Sequence, residues 1–319
     1  MTIALDIFRA LADSTRLRIL ALLRSMELSV GELAQVLGQS QPRVSRHVKI
    51  LCDAELVERR KEGSWVFVAP GAPDRLAPVQ AALDAWQKIE PDHWAVADAA
   101  RLAAVRADRA AAAQGWFSQH AGEWDAIRSL HVAESQVEEA MKAVLGGSPI
   151  GQLIDIGTGT GRMLELFAGQ AENALGIDRS SEMLRLARVK LAEQGLTHAE
   201  LRQADLYALP LGDGAADAAI VHHVLHFAQQ PGAAIMEAAR VLGDGGRLLI
   251  VDFAPHDLEE LRTRDAHARL GFSDEQILGW FDAAGLLPVR TETLEGGELT
   301  VKLWLARKGA SDLKQAKAA

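Results

Sequence analysis

The chain has 319 residues, 49% of them apolar and 24% charged, with one cysteine and a formal net charge of −9. At roughly 150 residues per domain this length suggests two domains, and the composition excludes a disordered, collagenous or membrane-spanning chain. The lone thiol, Cys52, excludes a disulfide framework or a thiolate cluster built within one chain.

Charge is unevenly placed. Residues 1–68 hold ten Lys/Arg against eight Asp/Glu, a balance of +2 that leaves −11 to the remainder. A basic head on an acidic body is compatible with a DNA-reading module joined to a larger partner domain. Asp6, Arg9, Asp13, Arg16 and Arg18 interrupt the apolar N-terminal stretch. No apolar run reaches the length of a signal-peptide core or a membrane helix, so a cytoplasmic protein without membrane association is expected.

In the head, Ile3, Leu5, Ile7, Phe8 and Leu11, then Leu17, Ile19, Leu20, Leu22 and Leu23, predict two helices that meet at Asp13-Ser14-Thr15. Ser29 with Glu32 three residues on is a capping box for a short helix over 30–37, ended by Gly38. Ser40 is expected to cap the next helix, with Pro42 just inside its first turn. Val44, Val48 and Leu51 form one side of that helix, and Gln41, Arg43, Ser45, Arg46, His47 and Lys49 occupy the rest. The pattern is a helix-turn-helix whose second helix enters a major groove. Strands at 56–60 and 65–69, turned at Glu62-Gly63-Ser64, make a wing carrying Arg59, Arg60 and Lys61. The alternative is a helical packing module whose arginines are merely solvated.

Over residues 5–70 the segments FRALADSTRLRILALL, ELSVGELAQVLGQSQPRVSRHVKIL and LVERRKEGSWVFV resemble the ArsR/SmtB family of winged-helix repressors. The resemblance implies a homodimer on a double-stranded DNA operator, released by an inducer that is often a metal. It implies DNA contacts from Ser40, Gln41, Arg43, Ser45, Arg46, His47, Lys49, Arg59, Arg60 and Lys61. The family's soft-metal sensors carry cysteines in the segment matching 27–33, where this chain has Ser29 and Gly31. Soft metals need thiolates, so the signal is expected from elsewhere in the chain. His93 beside Asp92 reads as a helix start rather than a ligand pair.

Leu76, Val79, Leu83 and Trp86 form a helical stripe over 74–90, suited to a dimer interface or to packing on its own domain. Pro91 breaks the pattern. Residues 95–113 include eleven alanines and predict a stiff helix, followed by a second helical stretch to Gly146-Gly147. A dimerisation and connector segment is thus expected at 73–145, between a winged helix-turn-helix at 1–72 and a body at 146–310.

In the body, strands at 152–158, 174–177, 200–203, 216–221 and 247–251 alternate with helices at 162–168, 181–194 and 232–242. This predicts an α/β, doubly wound parallel sheet with ligands above the strands' carboxyl ends. A dinucleotide fingerprint needs G-x-G-x-x-G; here glycines fall at 157, 159 and 161, and Arg162 holds the final place. That loop after Asp155, the acidic ends Asp178 and Asp205, and EAARVLGDGGRLLIVDF resemble a class I S-adenosylmethionine methyltransferase domain over roughly 110–255. The resemblance implies a Rossmann-like fold holding S-adenosylmethionine or S-adenosylhomocysteine. Asp155, Gly157, Thr158, Gly159 and Gly161 would border the methionyl part, where side chains would collide with it. Asp178, with Arg179, would face the ribose hydroxyls, Met183 the adenine face, Asp205 and Leu206 the adenine amino group, and His222 the sulfonium. Phe117, Trp124 and Arg128 would form part of a lid.

His222, His223 and His226 lie close together, but no carboxylate beside them in the chain completes a ligand set. They are expected to line the cofactor pocket, and no metal site is expected. Asp252, His256 and Asp257 read as loop polars past the last parallel strand, and no catalytic base is identifiable. Arsenite methylation needs several cysteines, which the chain lacks. The leading expectation is a homodimeric ArsR-type transcription regulator whose body binds S-adenosylmethionine or S-adenosylhomocysteine to control DNA binding at methionine and methyl-cycle genes. The alternative is a small-molecule methyltransferase with an autoregulatory DNA-binding head, and a scaffold that uses both domains for protein contacts is the third.

Overall fold

The computed structural model describes residues 2–24, 26–62, 65–87, 94–120, 134–146, 149–167, 169–196, 198–295 and 297–309. The chain divides into two compact units, residues 1–111 and 112–319. Among the described residues, no helix is long and apolar enough to cross a membrane.

In the first unit, α1 (Thr2–Leu11) and α2 (Ser14–Leu23) meet at Asp13. Its carboxylate accepts the N–H groups of Thr15 at 2.8 Å and Arg16 at 3.3 Å, two of the donors that a helix start leaves without an internal partner. At α3 (Val30–Leu37) the box closes reciprocally: Ser29 Oγ accepts the Glu32 N–H at 3.2 Å, and Glu32 accepts the Ser29 N–H at 2.8 Å. Gly38 ends that helix at φ +65°, and α4 (Gln41–Asp53) follows with Pro42 in its first turn. Ser40 occupies the position before α4 but makes no side-chain cap bond, contrary to the sequence expectation. Strands β2 (Val57–Glu62) and β3 (Trp65–Pro70) form the wing, and β1 (Leu28–Ser29) pairs with the other edge of β3. The wing's tip, Gly63-Ser64, lies outside the described residues.

The segment expected as a connector is divided between the two units at Ala111/Ala112. Leu76 and Val79 of α5 (Pro73–Gln87) are buried with Leu20, Leu33 and Val44, and Leu83 packs against the same core. Leu76, Val79 and Leu83 of the α5 stripe thus pack on their own domain. Leu102 and Val105 of α6 (Ala95–His120) join that core as well. Asp98 on α6 is 2% exposed and accepts from Arg18 Nε at 2.7 Å and Nη2 at 2.6 Å, a two-pronged guanidinium–carboxylate pair. Arg18 also reaches the carbonyl of Leu37, and Arg101 that of Val36, both at 3.3 Å. These are carbonyls that the end of α3 leaves unsatisfied. The side chains of Trp86 and Phe117, and residues Pro91, Asp92, His93, Trp124, Arg128 and Gly147, lie outside the described residues.

In the second unit, α7 (Glu134–Leu145) precedes a seven-stranded sheet of order β6-β5-β4-β7-β8-β10-β9. Strands β4 (Ile150–Ile156), β5 (Ala171–Asp178), β6 (Ala199–Gln203), β7 (Ala216–His222) and β8 (Leu242–Phe253) are parallel. Their apolar runs are buried because helices α8 (Arg162–Phe167), α9 (Ser181–Glu193) and α10 (Pro231–Val241) cross between them. From β4 the chain winds outward to β6, then returns to the other side of β4 as β7. This creates the switch point where doubly wound sheets hold ligands. Beyond the short α11 (Glu260–Arg264) and α12 (Asp274–Ala283), a hairpin that the sequence pattern did not reveal supplies β9 (Leu286–Leu294) and β10 (Val301–Lys308). Strand β10 runs antiparallel between β8 and β9, and its fully buried Trp304 donates Nε1–H to Asp274 at 2.7 Å.

Removing Asp98 strands a guanidinium in buried surroundings. Asp98→Ala should weaken the first unit by about 3–5 kcal/mol. Asp84→Ala removes the exposed partner of Arg24 and should change stability by about 0–1 kcal/mol. Urea unfolding of the full chain followed by circular dichroism checks the contrast.

Candidate functional site

Helix α4 exposes Gln41, Arg43, Arg46 and Lys49 to solvent, with Ser40 exposed before it and Ser45 half-buried. Beside it, Arg59 of the wing donates Nη2–H to the carbonyl of Ser45 at 2.7 Å, and Lys61 is exposed. Arg59 thus ties wing to helix and keeps its charge at the surface. Two expected contacts are engaged elsewhere. Arg60 pairs with Glu27 at 2.7 and 3.3 Å and lies 6.0 Å from the centre of the Phe67 ring. His47 faces the start of α2, with Nδ1 3.6 Å from Asp13. Burial opposes ionisation of Asp13, yet the N–H groups of Arg16 and Thr15 and nearby His47 hold its carboxyl below the ordinary value. A groove between α3, α4 and the wing is lined by Ser29, Gly31, Gln41, Ser45 and Arg59. Cys52 is half-buried, and burial pushes its thiol up, so it supplies no ready thiolate.

In the body, β4 ends at Ile156 and the chain turns through Gly157, Gly159 and Gly161 at φ +78°, +53° and +87°. Left-handed backbone of this kind is open to glycine at no steric cost. The Gly157 and Thr158 N–H groups both donate to the Ile177 carbonyl, at 2.7 and 2.9 Å. A Cβ at 157 would lie 2.4 Å from Val224 Cγ2, and one at 161 would lie 3.3 Å from Ala187 Cβ. The glycines therefore answer first to backbone conformation and to neighbouring protein, where the sequence pointed to collision with a ligand. Arg162, in the place of a dinucleotide glycine, pairs with Glu138 at 2.6 and 2.7 Å and with Glu165 at 2.9 Å.

Asp178, at the end of β5, accepts the Gly159 N–H on one oxygen and the Ser180 N–H on the other, each at 2.8 Å. Each oxygen retains acceptor capacity. Burial pushes its carboxyl up, against the donors Ser180, Gly159 and Arg179. Arg179 itself is exposed. Ser180 caps α9 by accepting the Met183 N–H at 3.3 Å, and Met183 is buried. Asp205 accepts the Tyr207 N–H at 3.0 Å, with Leu206 packed against the core. Asp155 and His222 are buried at the ends of β4 and β7. Thr158 Oγ1 is buried without a hydrogen-bond partner among the described residues. Sheet order gathers these residues at the carboxyl ends of β4, β5, β6 and β7.

One expectation about the histidines is corrected. Strand β8 extends to Phe253 and carries Asp252 into the sheet, where it is 0% exposed rather than a loop polar. Its Oδ1 lies 2.7 Å from His226 Nδ1, and its Oδ2 accepts the His226 N–H at 3.2 Å. The carboxylate missing beside the histidines in sequence is supplied from 26 residues away. Burial pushes the Asp252 carboxyl up to about 6, with His223 acting in the opposite direction. The available signal was a charge ending the apolar run of β8, because a buried charge needs a partner.

A DNA-reading winged helix-turn-helix and a doubly wound sheet with a glycine turn and an acidic strand end define a regulator head joined to a methyltransferase fold. Comparison with known proteins agrees. Residues 13–59 match the family model for bacterial regulatory proteins of the arsR family, and residues 154–250 match that for the methyltransferase domain. The arsenic resistance transcriptional regulator ArsR1 of Pseudomonas putida is 39% identical over 101 residues, 30% of this chain and 75% of that one. The ubiquinone/menaquinone biosynthesis C-methyltransferase UbiE of Syntrophotalea carbinolica is 39% identical over 180 residues, 47% of this chain and 75% of that one. The phosphatidylethanolamine N-methyltransferase of Cereibacter sphaeroides is 35% identical over 132 residues, 41% of this chain, and the chain spans 63% of its length. The Haloferax volcanii complex of the Trm112 methyltransferase activator with a methyltransferase shares the fold of the body, with TM-score 0.53, 16% identity, and 62% of this chain and 97% of that one covered. The chain belongs to the ArsR family of bacterial regulators, fused to a domain of the methyltransferase family.

Gly157→Ala should destabilise the second unit by about 1–3 kcal/mol through overlap with Val224. Paired with Val224→Ala, the loss should be smaller than the sum of the two single losses, since the overlap is shared. Thermal melts of the four proteins in the cycle test this.

Proposed function

We infer that the protein is a homodimeric transcription regulator of the cytoplasm whose methyltransferase domain binds S-adenosylmethionine or S-adenosylhomocysteine and thereby sets operator affinity at methionine and methyl-cycle genes. The observation that carries the reading is Asp178, oriented by two backbone N–H groups opposite a left-handed glycine turn, in a chain with an ArsR-type head. The residues fit a nucleoside bearing an amino-acid arm. Asp178 would take the ribose hydroxyls, Asp205 and Leu206 the adenine edge, Met183 the adenine face, and Asp155, Gly157, Thr158, Gly159, Gly161 and His222 the methionyl side. The buried Thr158 hydroxyl supports this, being a polar group that still lacks a partner. When bound, S-adenosylmethionine supplies an electrophilic methyl group. Dimerisation is supported by α1, whose Leu5 and Phe8 are 49% and 65% exposed one turn apart, a pairing that suits burial by a second copy.

On DNA, Arg43 and Arg46 read bases, while Arg59 and Lys61 contact phosphates. Arg43→Ala and Arg46→Ala should each cost about 1–3 kcal/mol of specific binding. Arg59→Ala should reduce the salt slope, whereas Arg60→Ala, which breaks the Glu27 pair, should leave that slope unchanged. Fluorescence anisotropy at several salt concentrations separates these outcomes.

Regulation requires unequal affinity of the ligand for the DNA-competent and DNA-incompetent states. Operator affinity should shift roughly 5- to 150-fold on saturation with S-adenosylmethionine or S-adenosylhomocysteine. Asp178→Ala should weaken ligand binding at least about tenfold and remove the shift at that ligand concentration. An operator titration unchanged by both ligands would sink the regulatory reading and leave methyl transfer to a small molecule in its place.

A further inference from the structure

Five of the chain's ten histidines gather around one ring and one carboxylate at the ends of β7 and β8. His223, His226 and His267 have ring centres 4.7, 5.0 and 5.9 Å from that of Phe253, with His256 at 6.2 Å and His222 at 4.4 Å from His223. Inside this group, one ligand atom each from His223, His226 and Asp252 lie within 4.8 Å of one another, and all three residues are buried. We propose that His223, His226 and Asp252 form a binding site for a divalent first-row transition-metal ion.

Three features support it. The first is spacing. Metal–ligand bonds of about 2.0–2.2 Å place neighbouring donors about 3 Å apart, and His226 Nδ1 and Asp252 Oδ1 stand 2.7 Å apart. An ion can take the place of the proton between them, and His223 offers a third donor atom within 4.8 Å. The second is backbone strain. His223 holds φ +52°, with its N–H donated to the Val251 carbonyl at 2.8 Å. A non-glycine residue in this region is uncommon, and such residues cluster at functional positions. The third is chemistry. Two imidazoles and a carboxylate select borderline ions such as Zn²⁺, Co²⁺ or Ni²⁺ over soft thiophilic ones. Three protein ligands also leave coordination positions for water or for a donor atom of a small molecule.

The test uses the full-length, untagged protein, stripped with chelator and titrated with Co²⁺ and then Zn²⁺. One Co²⁺ per chain should bind at micromolar or tighter affinity, with visible ligand-field absorption, and Zn²⁺ should displace it. Asp252→Asn and His226→Ala should each lose at least tenfold in affinity. His223→Asn carries the argument should those two unfold: asparagine tolerates the left-handed backbone, so this variant should keep its circular dichroism and melting temperature while losing the ion. His47→Ala, in the other unit, should bind as wild type does. Absence of a stoichiometric ion in wild type, or unchanged affinity in folded His223→Asn, would overturn the site.

Discussion

The crevice of the body depends on a single backbone constraint: the chain leaving β4 must turn back on itself within five residues and still hand its N–H groups to β5. Left-handed φ values at 157, 159 and 161 accomplish this. The return on that geometry is considerable. Two successive amides share the Ile177 carbonyl, a third holds Asp178, and Asp178 in turn is fixed from its other side by Ser180. A carboxylate oriented by backbone rather than by side chains pays no rotamer entropy when it meets a ligand. The same turn leaves Arg162 free of any phosphate-binding duty and available to pin α8 to α7 through Glu138.

What the sequence disclosed and what it withheld divides by the reach of the interaction. The Asp13 cap, the Ser29–Glu32 box and the glycine turn act across two to four positions, so residue types at fixed spacing reveal them. Arg60 with Glu27 and Asp252 with His226 are 33 and 26 residues apart, and Arg18 with Asp98 is 80 apart. No local pattern reports such pairs. The stripe on α5 was visible as apolar, but periodicity says only that a face is buried, not against what. Strand β9 was missed because its residues from 287 to 291 are exposed and follow no alternation; β10 was missed with it, having no neighbour in sequence to suggest a sheet.

The two sites differ in how their charges are arranged. On α4 and the wing, Arg43, Arg46, Lys49, Arg59 and Lys61 remain at the surface, where a polyanion can exchange with counterions. At β8, Asp252 is removed from water, and its charge is supported by the N–H groups of His226 and Phe253 and by the His226 imidazole. The overall charge of −9 hides both arrangements. Net charge describes the whole chain, while recognition is decided by which charges burial has already consumed.

Helix α6 is clasped to the head by contacts within the first unit. Asp98 on α6 grips Arg18 of α2, Arg18 reaches the Leu37 carbonyl, and Arg101 reaches that of Val36. Both carbonyls belong to the last turn of α3, immediately before Gly38 redirects the chain into α4. A shift in the start of α6 must therefore either break a buried ion pair, at a cost of about 3–5 kcal/mol, or take the end of α3 with it. The second course is the cheaper one, because the hydrogen bonds of the clasp stay made.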